Sequence, residues 1–423
     1  MIFLIWILYF PALFLIGLLR SVLAGMGASL ALVPTVLLHA AVFAGITLLS
    51  KKLKTFIKKG EPVTLKNSGG NNSTVIYGLV TVGFTAMLAL SNNGLLSRAV
   101  TGYLIPICAY IVLAVSLNLV VGISGELSLG HAGFMGVGAF SGIVAATVFG
   151  RLLDNSFLVL ILSMVVGGFF AGVFGVFVGV PVLRLRGDYL AIVTLAFGEI
   201  IKNIVNSMYV GLDDEGLHLW MDKSEAVLNE GGKMIINGSL GAAGVQKIST
   251  FFAGFLLILF TLAVVLNLVN SKEGRAIKAV RDNRIAAESV GINVTAFRLK
   301  AFVVSAVLAG MAGTLFGLNL GSLQASKFGY NTSIDILVSV VLGGMGNILG
   351  SIISTVTLYL IPEFLRGLAD LRMIMYAVVL IVVMLCTWSP KIKTSIQVIK
   401  SAVSDRIKGI TKKFSKKGGA VNE

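Results

Sequence analysis

Long apolar runs recur along almost the whole chain, and they constrain its fold more than any other feature. A helix that crosses a bilayer needs about 20 mostly apolar residues, because in hydrocarbon its backbone must satisfy its own hydrogen bonds. Such runs lie at roughly 2–19, 22–49, 74–91, 102–123, 128–149, 157–180, 188–206, 249–270, 299–320, 348–365 and 371–388, with a shorter one near 334–346. Hydrophobic residues make up 56% of the chain and charged residues only 13%, which excludes an ordinary water-soluble domain. The expected class is an all-α polytopic membrane protein with about 10–12 transmembrane helices, some of them broken by glycine.

A net charge of +15 could signal a nucleic-acid partner, but its placement argues against one. The lysines and arginines stand in short blocks between apolar runs, the pattern that anchors loops on the cytoplasmic side. These blocks are KKLKTFIKK with Lys66, Arg184 with Arg186, Lys272–Lys300, and the tail from Lys391. The insert 207–248 instead carries Asp213, Asp214, Glu215, Asp222, Glu225 and Glu230 against three lysines, as suits an outer loop. Alternate threading puts every basic block on one face and this insert on the other. That requires the short run at Asp335–Gly346 to cross or to form a re-entrant turn.

The N-terminal run has no basic residue before it, so it is expected to be a retained span rather than a signal peptide. Lys51–Ser73 has the composition of a flexible linker, and residues 1–95 are expected to form an N-terminal extension. Cys108 and Cys386 lie inside apolar runs and suggest neither a disulfide nor a metal site. The chain has no G-x-x-x-x-G-K-[ST] phosphate loop.

Four stretches carry groups that simple spans do not need. In GELSLGHAGFMGVGAF (125–140), Glu126, Ser128 and His131 sit among Gly125, Gly130 and Gly133. This reads either as a broken helix facing the protein interior or as tight packing with Glu126 at an aqueous helix end. His131 fits a satisfied interior histidine better than a proton relay. In 187–206, Glu199 and Lys202 share a helical face and can pair, as structural glue or as lining of a pathway. In 271–302, Ile277, Val280 and Ala287 fall on one side of a short amphipathic pattern, with Arg275, Lys278 and Arg281 mostly on others. Such a helix docks into a groove or lies on a membrane surface. In 333–353, Gly343, Gly344, Gly346 and Gly350 interrupt a short apolar run, a pointer to a transport site.

Together these stretches resemble the LivM-type permease subunit of bacterial ATP-binding cassette (ABC) importers for branched-chain amino acids. The likeness runs from about Tyr103 to Trp388 through SLNLVVGISGELSLGHAGFMGVGAF, LRLRGDYLAIVTLAFGEI, GRAIKAVRDNRIAAESVGINVTAFRLKAFVVSAVLAGMAGTLFG and ILVSVVLGGMGNILG. It implies an ABC importer permease fold over 96–390, a basic cytoplasmic tail over 391–423, and cytoplasmic termini in a bacterial inner membrane. It also implies a homologous second permease, two ATP-binding subunits and a soluble substrate-binding protein, with no cofactor on this chain. Permeases of this kind present an E-A-A-x-x-x-G loop to the ATPase. Ala286, Ala287 and Gly291 match it, while Ile285 replaces the glutamate and Glu288 is displaced.

The resemblance thus assigns ATPase coupling to Arg275, Ile277, Val280, Arg281, Ala286, Ala287, Glu288 and Gly291. The expected translocation pathway takes in Gly125, Glu126, Ser128, Gly130, His131, Gly133, Glu199, Gly343, Gly344 and Gly346. The alternatives are an ion-coupled secondary transporter of amino acids, or an ABC permease for another small solute. A membrane enzyme is disfavoured, since the chain shows no paired carboxylates, and its histidines, His39, His131 and His218, form no metal-spaced cluster.

Overall fold

The computed structural model describes residues 69–92, 98–183, 188–213, 215–223 and 232–364, together with 378 and 381. The described residues up to Thr357 belong to one compact unit, and a second begins at Leu358. The spans expected at 2–19 and 22–49, most of 371–388, and the basic tail lie outside the described residues.

The apolar runs fold as helices: α1 (Gly69–Asn92), α2 (Arg98–Asn118), α3 (His131–Leu152), α4 (Ser156–Val182), α5 (Asp188–Ser207), α6 (Phe251–Asn270) and α9 (Val294–Gly317). The polar segment between α6 and α9 forms α7 (Lys272–Asp282) and α8 (Arg284–Ser289), and α10 (Tyr330–Gly343) and α11 (Ile348–Phe364) follow. Six of the described helices are long and apolar enough to cross a membrane. Short polar side chains start several of them by accepting otherwise orphaned backbone N–H groups. Asn155 accepts from Phe157 at 3.1 Å, Thr250 from Ala253 at 3.2 Å, and Ser271 from Gly274 at 3.1 Å. One boundary differs from expectation. GGNNST, assigned to the linker, is already helical, because the apolar run from Val75 extends its helix back to Gly69.

At the centre, α3, α4 and α9 cross through small residues. A Cβ on Gly138 would overlap the backbone of Gly310, and one on Gly142 or Gly167 would overlap Thr314. The Thr314 hydroxyl donates to the Gly138 carbonyl at 2.8 Å. In lipid no hydrophobic force drives helices together, so close backbone approach and inter-helix hydrogen bonds take over that role.

The insert expected as a polar loop is an antiparallel sheet of five strands in the order β2-β1-β3-β4-β5. The strands are β1 (Tyr209–Leu212), β2 (Leu217–Trp220), β3 (Lys233–Asn237), β4 (Ala242–Ala243) and, from the segment after α9, β5 (Ser322–Leu323). Arg151, at the end of α3, holds β1 by donating to the Leu212 and Asp213 carbonyls, each at 3.2 Å. Helix α6 starts next to the sheet and ends at α7, and its 20 residues span about 30 Å. The sheet and the α7–α8 pair therefore occupy opposite ends of the bundle.

The short run near 334–346 lies in a helix shorter than the long spans. After β5 the chain drops through a tight turn, Ala325–Phe328, and Phe328 packs within 3.1 Å of where a Cβ on Gly136 would stand. Helix α10 then begins alongside the middle of α5, where the Tyr330 N–H meets Glu199. Its 14 residues, about 21 Å, carry the chain to the end occupied by α7.

Candidate functional site at two glycine breaks

Helix α2 ends in a π-turn, Leu119–Ser124. In a π-turn each N–H reaches back five residues instead of four, which widens the helix and leaves a carbonyl without an in-helix partner. Gly125 closes the turn at φ 79°, where a side chain would be strained, and its N–H donates to the Val120 carbonyl. At the second break, between α10 and α11, Gly344 and Gly346 take φ 90° and 82°. Gly343 and Gly350 lie so close that a Cβ on either would overlap the other's backbone.

These two breaks, far apart in sequence, touch. Gly346 N–H donates to Asn118 Oδ1 at 2.7 Å, and Asn118 Nδ2 donates to Ser351 Oγ at 2.9 Å. A Cβ on Gly122 would overlap both Asn118 Oδ1 and the Gly346 nitrogen. Asn118 is fully buried, so its amide replaces water for groups that would otherwise be orphaned.

Helix α7 holds the same turn from the other side. Arg281 Nη1 donates to the Gly122 carbonyl at 2.9 Å, while its Nε and Nη2 pair with Asp282. Ile277, Val280 and Ala287 are buried within the protein, the last two in a small apolar cluster with Val294 and Ile292. Their apolar face thus fastens the α7–α8 pair to its own bundle. The surface left open carries Arg275, Ala286, Glu288 and Gly291, with Ile285 79% and Val290 74% exposed.

Glu126 lies just past the π-turn, with Oε1 2.7 Å from Arg298 Nε and side chains 12% and 14% exposed. The contact is an ion pair not aligned for a hydrogen bond from Nε. Burial dominates and holds the Glu126 carboxyl above its usual range, while Arg298 and Arg284 pull it back down.

Further into the bundle, His131 opens α3 with Nε2 2.9 Å from Ser116 Oγ, which also donates to the Leu113 carbonyl at 3.0 Å. With Ser116 within hydrogen-bond distance, the histidine is a satisfied interior group. Gly130 and Gly133 abut Thr194 and Gly198 of α5, and Leu129 N–H donates to Thr194 Oγ1 at 3.0 Å. Ala132 N–H donates to Ser333 Oγ of α10 at 3.1 Å. The buried Ser128 hydroxyl has no hydrogen-bond partner. Glu199 pairs with Lys202 and accepts the Tyr330 N–H at 2.9 Å, which caps the start of α10.

The residues expected to line a pathway therefore fall into three groups. Gly125, Glu126, Gly343, Gly344 and Gly346 gather at the α7 end. Ser128, Gly130, His131 and Gly133 pack inward among α2, α5 and α10. Glu199 stands at the start of α10. Sequence reasoning missed Asn118, Arg298, Ser333 and Ser351. An asparagine inside an apolar run is costly in a membrane, and that was the available signal for Asn118. Among the described residues no group of His, Cys, Asp and Glu could hold a metal ion.

A family model described as the branched-chain amino acid transport system / permease component matches residues 99–387. The high-affinity branched-chain amino acid transport system permease protein LivM of Escherichia coli (strain K12) is 32% identical over 292 residues, 67% of each chain. Its counterpart from Salmonella typhimurium is 33% identical over the same share. The nucleoside ABC transporter permease protein NupC of Lactococcus lactis is 26% identical, over 52% of this chain and 72% of its own. No solved structure matches the chain.

Proposed function

Because this chain belongs to the family of permease components of branched-chain amino acid transport systems, we propose that it is the translocating subunit of an ATP-driven importer for Leu, Ile and Val. It is a multi-pass membrane protein, placed by this reading in a bacterial inner membrane with both termini cytoplasmic. Its partners are a homologous second permease, two ATP-binding subunits and a soluble binding protein. Residues 1–95 form an added N-terminal piece, 96–390 the permease domain and 391–423 a basic tail.

The observation that carries the coupling is the α7–α8 pair, clamped to the bundle through Ile277, Val280 and Ala287 while it offers Ile285 and Val290 outward. Two large apolar side chains left exposed on a basic helix pair suit a protein partner. Closure of an ATPase dimer beneath α8 would push the pair, and the bundle would alternate between outward-open and inward-open states. A zwitterionic substrate needs polar groups to replace its water, whereas its aliphatic side chain needs only an apolar wall. The Gly125–Gly133 segment, with its backbone groups and the unpartnered Ser128 hydroxyl, supplies the former.

Leucine, isoleucine and valine are favoured over nucleosides because identity to the LivM proteins is higher and extends over more of the chain. The test is reconstitution with the partner subunits. ATP hydrolysis stimulated by binding protein loaded with leucine supports the reading, and stimulation only by nucleoside-loaded protein refutes the substrate assignment.

A further inference from the structure

Gly122 is gripped from two sides by segments that have no other reason to share a residue. Arg281 of α7 holds its carbonyl, and the α10–α11 turn lies against its Cα through Gly346. We propose that the π-turn Leu119–Ser124 is a joint that passes displacement of α7 to the Gly344–Asn347 turn, with Asn118 as the residue that positions the turn on the joint. This rests on the proposed importer function and adds the route by which the motion enters the bundle.

Three features support the joint. A π-turn differs from an α-turn by one hydrogen-bond register, so it has two discrete arrangements, as a two-state coupling element requires. Gly122 O is one of the carbonyls left without an in-helix partner where the helix ends, and Arg281 donates to it at 2.9 Å. The contact with Gly346 has little slack, since a Cβ on Gly122 would overlap the Gly346 nitrogen and one on Gly346 would stand 3.3 Å from the Gly122 carbonyl oxygen, and packed contacts shift between arrangements rather than compress. Asn118 fixes the geometry because both ends of its amide are engaged, Oδ1 by Gly346 N–H and Nδ2 by Ser351 Oγ. Without it the Gly346 N–H would lose its partner and the turn would lose its registration against the π-turn.

The test uses the complete transporter in proteoliposomes, with leucine uptake and ATP hydrolysis measured on the same preparation. Asn118→Leu is expected to lower uptake per ATP hydrolysed by roughly tenfold while hydrolysis stays within about twofold of wild type. Asn118→Asp keeps an acceptor for Gly346 and is expected to recover much of that ratio. Should Asn118→Leu not assemble, Arg281→Ala, at a side chain 40% exposed, removes the opposite grip and is expected to give the same uncoupling. An unchanged ratio in assembled Asn118→Leu or Arg281→Ala would overturn the joint, as would a proportional loss of uptake and hydrolysis. A wild-type complex with no ATP-driven uptake would instead refute the importer reading on which the joint stands.

Discussion

The backbone of Gly346 lies directly against that of Gly122, with no space for a methyl group between them. The contact joins two breaks that are far apart in the chain, and it requires glycine at 122 for lack of space, while Gly346 is set by its φ of 82°. Gly122→Ala forces a Cβ into Asn118 Oδ1 and the Gly346 nitrogen, and overpacking of this kind costs about 1–3 kcal/mol. A clear drop in melting temperature and loss of uptake are expected. Gly102→Ala, where a Cβ meets nothing within 4 Å, is expected to leave both unchanged.

At Gly344 the obstacle is conformational rather than steric. Its φ is 90°, yet an added Cβ would meet only Asn347 Cβ at 3.8 Å. Holding an L-residue there costs about 1–3 kcal/mol, so Gly344→Leu is expected to abolish uptake while the complex still assembles, as checked by co-purification. Wild-type uptake by this variant would show that the turn does not need its left-handed geometry.

Arg298→Met removes the partner of a carboxylate whose side chain is only 12% exposed. Breaking one half of a buried pair costs on the order of 3 kcal/mol, because the remaining charge is left uncompensated. Thermal unfolding in detergent should show that loss, and adding Glu126→Gln to Arg298→Met should recover most of it.

Ile285 and Val290 offer a test of the outward face of α8 that spares the fold. Both are largely exposed, so aspartate at either position should change intrinsic stability by less than about 0.5 kcal/mol. The double substitution is expected to weaken co-purification with the ATP-binding subunits by roughly tenfold or more, as loss of interface anchors does.

The sheet carries a pH dependence of definite sign. Burial alone would raise the Asp213 carboxyl, but the hydrogen bonds from His218 and from the N–H groups of Glu215 and Gly216 outweigh it, and the group titrates below the usual carboxylate range. A depressed folded pKa contributes stability that is present above the unfolded value and lost as pH falls through the folded one. Protection of the β1–β2 hairpin against hydrogen exchange should therefore weaken on acidification below about pH 4 in the wild type. In Asp213→Asn that dependence should be absent.

Much of the fold is legible in the sequence because bilayer thickness sets helix length, and each described long apolar run does form a helix. The glycine clusters and the amphipathic segment after α6 also stand out, since each breaks the apolar pattern. Three things do not stand out. The insert's strands are two to five residues long, too short for a reliable period-two signal, and β5 arrives from more than 70 residues further on. The start of α10 beside α5 depends on Phe328 fitting over Gly136 and on Glu199 capping Tyr330, contacts that sequence spacing does not encode. The inward-facing role of Ile277, Val280 and Ala287 was hidden because an amphipathic pattern marks an apolar face without saying what covers it.

Whether this chain is a gate driven by a separate ATPase is tested most directly by leucine uptake into liposomes, comparing the purified chain alone with the full set of subunits. Concentrative uptake is expected only with the second permease, the ATP-binding subunits, loaded binding protein and ATP together, and a proton or sodium gradient should add nothing. Accumulation of leucine by the chain alone, driven by an ion gradient, would contradict the account.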